Sequence, residues 1–103
     1  MGTRALIHVK DEHGDTLTTI YRQWDGHLLG HDIKNILKEK CNGMGCVAAT
    51  LVAGLKTGRG SVYLYPIDCV DVDEEYTYTV WPYEDQLMLS VAGYNGSLKD
   101  YKN

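Results

Sequence analysis

Hydrophobic residues change their period more than once along this chain. From Arg4 to Lys10, Ala5, Ile7 and Val9 alternate with Leu6, His8 and Lys10. That period of two belongs to a strand with one buried face. Asp11-Glu12-His13-Gly14-Asp15 reads as a turn, and Leu17 to Trp24 is rich in residues that suit a pleated surface. The two segments predict an antiparallel hairpin. Asp25-Gly26 and Gly30 interrupt the pattern, and from His31 the spacing becomes helical. Ile33, Ile36 and Leu37 share one face, and Lys34, Lys38, Glu39 and Lys40 share the other. Asp32 in the first turn and the late lysines complement the helix dipole. Asn42-Gly43 stops the helix near Cys41.

Val47 to Lys56 is apolar nearly all round, and its length and alanines predict a buried second helix, closed by Gly58-Arg59-Gly60. The period of two then returns. Val62 and Leu64 oppose Tyr63 and Tyr65, Tyr76 to Trp81 alternates, and Leu87 to Val91 forms a last strand. Asp68 to Glu75 is an acidic connection, Pro82 to Asp85 and Tyr94 to Ser97 are turns, and residues 97–103 are a loose tail. The resulting order is β-β-α-α-β-β-β. Strands and helices do not alternate, which argues against a doubly wound parallel sheet. The expectation is one α+β domain over residues 1–103: a mostly antiparallel five-stranded sheet with two helices on one face. Its core would include Ile7, Val9, Leu17 or Ile20, Ile33, Leu51, Val62, Leu64, Val80 and Leu89.

A chain of 103 residues supports one modest core. It uses 8 Tyr and 2 Trp but no Phe, a preference for rings with a polar handle that fits half-wet surfaces and binding sites. The net charge of −4 is uneven: residues 1–60 carry +2 and residues 61–103 carry −6. That balance argues against direct nucleic-acid binding. Three cysteines without paired short spacing predict reduced thiols and a cytoplasmic setting. No apolar run reaches membrane-spanning length, and the first residues lack a signal-peptide block.

The densest chemistry lies between Tyr21 and Asp32. Arg22 offers a bidentate guanidinium, Tyr21 and Trp24 offer flat rings, and Asp25, His27 and His31 add polar groups beside a helix start. These describe a pocket for an anionic, ring-bearing ligand, to which Lys56 and Arg59 add positive charge. Other motifs fall short. Gly54 to Ser61 leaves a helix and enters a strand, the reverse of a phosphate loop. His27 and His31 lack the Glu of a zinc-protease helix, and the acidic run from Asp68 to Glu75 lacks the spacing of a calcium loop. The expectation is therefore no metal, no cofactor and no catalytic residue.

Tyr21-Arg22-Gln23-Trp24-Asp25-Gly26 with the following Gly30-His31, Asn42-Gly43-Met44-Gly45-Cys46-Val47-Ala48-Ala49, and Val62-Tyr63-Leu64-Tyr65-Pro66 together resemble a family of small, functionally uncharacterised α+β proteins of bacteria and their phages. The resemblance spans about Thr3 to Trp81 and implies no reaction, cofactor or catalytic residue. A phage setting would imply an antagonist of host defence acting in the host cytoplasm. Two expectations follow. The first is a non-enzymatic, homo-oligomeric module that binds, and so sequesters, a small phosphorylated, nucleotide-like molecule. The second is an acidic, protein-binding inhibitor of the anti-CRISPR kind, which blocks a nucleic-acid-binding enzyme through Tyr63, Tyr65, Asp71, Asp73, Glu74 and Glu75.

Overall fold

A computed structural model describes residues 3–38, 43–56, 62–69 and 74–102. β1 (Ala5–Lys10) and β2 (Thr16–Arg22) form the expected hairpin, with Ile7 opposite Ile20. Asp11 closes the turn: its Oδ1 accepts from the N–H groups of His13 and Asp15, and Gly14 supplies a φ of 85°. The other strands are β3 (Val62–Tyr65), β4 (Tyr76–Tyr83), β5 (Gln86–Val91) and β6 (Tyr94–Ser97). They build a six-stranded sheet in the order β3-β2-β1-β4-β5-β6.

The architecture is α+β, with two corrections to the expected sheet. It has six strands rather than five, and it is mixed, because β4 lies parallel to β1. β6 escapes the pattern because Tyr-Asn-Gly-Ser has no apolar alternation; backbone pairing with β5 defines it. The parallel pair arises because β4 is reached from β3 past both strands of the hairpin, a connection that leaves no trace in local periodicity.

A short 3-10 turn (Gly26–Leu28) leads into α1 (Leu29–Ile36), and α2 is Met44–Leu55. Each helix starts earlier than its apolar spacing suggests; the expected helix end near Cys41 lies outside the described residues. Both cover one face of the sheet. Ala5, Ile7, Val9, Ile20, Tyr78, Val80 and Leu89 form a core with Leu29, Ile33, Val47, Leu51 and Leu55. The helices approach closely where a Cβ on Gly54 would come within 2.8 Å of Ile36. The closing segment, expected to be loose, contributes Leu98 and Tyr101 to the core. The Tyr101 ring occupies the space a side chain on Gly30 would need.

Several core expectations change. Ile20 is buried and Leu17 exposed. Leu64 lies on the helix side but is 62% exposed, because β3 is the edge strand. Tyr78 is a core residue: it is almost fully buried, and its hydroxyl donates to the Gly26 carbonyl at 2.7 Å.

The register places Leu6, His8, Thr19, Tyr21, Tyr63 and Tyr65 on the face away from the helices. Tyr21 stacks on Tyr65 with ring centroids 4.9 Å apart. The Thr19 hydroxyl donates to the carbonyl of Ile67, just after β3. Among the described residues, no helix is long and apolar enough to cross a membrane.

Candidate functional site

Where β2 ends, the chain must turn sharply to start the helical layer. Asp25 takes a left-handed conformation (φ 58°), and the Gly26 N–H donates to the Thr3 carbonyl at 2.8 Å. A side chain at Gly26 would meet that carbonyl at 2.8 Å and the Ala5 Cβ at 2.9 Å, so the close approach requires glycine. This pinned corner fixes the direction in which Arg22, Trp24 and Asp25 leave the sheet.

Arg22 lies on the helix side, under the start of α1. Its Nη1 donates to Asp32 Oδ2 at 2.6 Å, and its Nε donates to the Trp24 carbonyl at 3.0 Å. The pair is partly open to solvent, so its contribution to stability is at most about 1 kcal/mol and its main effect is to orient the guanidinium. The guanidinium keeps further N–H donors beyond those two bonds. Around it lies a cavity of about 370 Å³ lined by Arg22, Trp24, Asp25, Asp32, Asn35, Ile36, Gly54 and Leu55. That volume is in the range of small-molecule sites. Trp24, 47% exposed, presents its indole at the rim. The cavity thus joins a fixed cation, two carboxylates, an amide and an aromatic face over an apolar floor.

The structure divides the residues expected to form one pocket. Arg22, Trp24 and Asp25 line the cavity. Tyr21 does not: it follows the period of two onto the opposite face and stacks there on Tyr65. His27 and His31 are exposed and do not line it. Lys56 lies at the sheet edge, where Nζ donates to the Val62 carbonyl at 3.2 Å and sits 5.5 Å from the Tyr63 ring centroid. Arg59, Asp71 and Asp73 lie outside the described residues. In the acidic connection, Glu74 accepts a hydrogen bond from the Thr77 hydroxyl, and the Glu75 N–H donates to the Arg4 carbonyl. Tyr63 and Tyr65 face away from the helices, as expected.

Asp32, Asn35, Ile36, Gly54 and Leu55 are additions to the site. The i, i+3 spacing of Asp32 and Asn35 on α1 is the one signal that could have joined two of them. Gly54 and Leu55 enter only because α2 docks against α1. Among the described residues, no group of three His, Cys, Asp or Glu side chains could hold a metal ion. No family model, no curated protein and no solved structure matches the chain.

Proposed function

We propose that the protein is a non-enzymatic, homo-oligomeric binding module for a small, anionic, ring-bearing molecule of nucleotide type. The supporting observation is the Arg22 cavity. Trp24 offers a face for a planar ring, Asp25 and Asp32 can accept from N–H groups on a base edge, and the unused donors of Arg22 can take an anionic oxygen. Arg22 and Asp32 hold each other in place before any ligand arrives, which lowers the ordering cost of binding. A module of this kind acts by sequestration, and a phage setting would make that an anti-defence role.

Isothermal titration against a panel of cyclic and linear nucleotides tests the reading. The expected result is heat with at least one member, at least tenfold weaker binding in Arg22→Ala, and altered selectivity among bases in Asp32→Asn. Absence of heat across the panel, or equal binding by Arg22→Ala, overturns it.

A further inference from the structure

We infer that the outer edge of β3 pairs antiparallel with the β3 of a second copy, across a two-fold axis at Leu64. This specifies the surface behind the homo-oligomeric part of the proposal above; it does not depend on what the Arg22 cavity binds.

The backbone directions come first. Tyr76 N–H donates to the Arg4 carbonyl, so Arg4 points its polar groups toward β4. Alternation then turns Ala5 and Ile7 toward β2, where they pair with Arg22 and Ile20. Arg22 and Ile20 therefore point away from β3, and their partners there, Val62 and Leu64, turn their N–H and C=O groups outward. The bond from Lys56 Nζ to the Val62 carbonyl shows the same outward direction independently.

Among the described residues, no strand pairs with that edge. Natural edges are usually guarded by charge. Here Lys56 and Pro66 guard only the two ends, while the run Val62 to Ile67 itself carries no charge and exposes Tyr63 (43%), Leu64 (62%) and Ile67 (55%). Its ends are closed to further pairing. Lys56 occupies the Val62 carbonyl, Pro66 has no N–H, and the Pro66 carbonyl accepts from Cys69. Leu64 keeps both groups outward between these stops.

One residue offering a donor and an acceptor is satisfied by its own copy in the reverse direction. Setting Leu64 opposite Leu64 joins the two sheets edge to edge and keeps both helical layers on one side. Tyr63 then lies across from the partner's Tyr65, extending the aromatic row that Tyr21 and Tyr65 begin. This self-complementarity favours a second copy over an unrelated peptide.

Sedimentation velocity from micromolar to millimolar concentration, with amide hydrogen exchange at both ends of the range, tests the pairing. The expected result is a concentration-dependent shift to twice the chain mass, with exchange at Leu64 slowing at least tenfold as the dimer fills. Leu64→Lys should abolish both changes and leave the thermal transition in place. A second variant, Leu64→Pro, removes the outward N–H without touching a bond to β2, and should also give a monomer. A monomer throughout the range, or a dimer that survives both substitutions, overturns the inference. The nucleotide titration reads Arg22 instead, so the failure of one proposal is distinguishable from failure of the other.

Discussion

Leu6 and Ile7 are neighbours on one strand, both fully buried, yet they belong to different layers. Ile7 points into the core shared by α1, α2 and the sheet, where neighbours on both sides are fixed by secondary structure. Leu6 points to the other face, between Tyr21 and Thr77 in the register and next to a half-buried His8 on that face. The helix side is apolar and densely filled; the far side carries aromatic and polar side chains. Equal burial therefore does not mean equal rigidity. The candidate site lies at a margin of the well-built layer, where Arg22 leaves the sheet for α1.

The largest test of this contrast compares two truncations. Ile7→Ala should cost stability in the upper part of the ~2–5 kcal/mol range for such changes, and Leu6→Ala in the lower part, because side chains around Leu6 can close over the space. Urea unfolding measures both; equal losses would show that the two faces are packed alike. Next is Tyr78→Phe. The ring still fills its place, but the Gly26 carbonyl loses its 2.7 Å donor, at a cost of about 1–3 kcal/mol. Burial also pushes the Tyr78 hydroxyl up to about 12 from an ordinary 10.0. The folded state keeps its proton where the unfolded chain has lost it. Stability from this group is thus complete below pH 10 and is lost as pH rises toward 12, and Tyr78→Phe should remove that alkaline slope.

The smallest effect concerns the face away from the helices. Burial, followed by the charge of Lys10, lowers the pKa of His8 below 6.5, against a weaker opposing pull from Glu74. The unfolded chain then takes up a proton before the folded protein does. Stability should stay level above about pH 6.5 and decline as pH falls from there through the folded value. Denaturant midpoints across this window should slope less in His8→Gln; an unchanged slope would place the dependence on another group.

Part of the site was legible because its causes are local. Arg22, Trp24 and Asp25 lie within four positions of one another, and Asp25-Gly26 forces the turn that brings them together. The separation of Tyr21 from Arg22 was also written in the period of two, since consecutive strand residues face opposite sides. The sequence by itself determined the hairpin, the two helices, the α+β class and the outward direction of Tyr63 and Tyr65, because each depends on periodicity or turn chemistry within a few residues. Only the tertiary structure decided the parallel pairing of β1 with β4, the sixth strand, the burial of Tyr78 and the union of Asp32, Gly54 and Leu55 with Arg22. Those features join residues far apart in the chain, and what selects them is the fit of whole layers rather than any local preference.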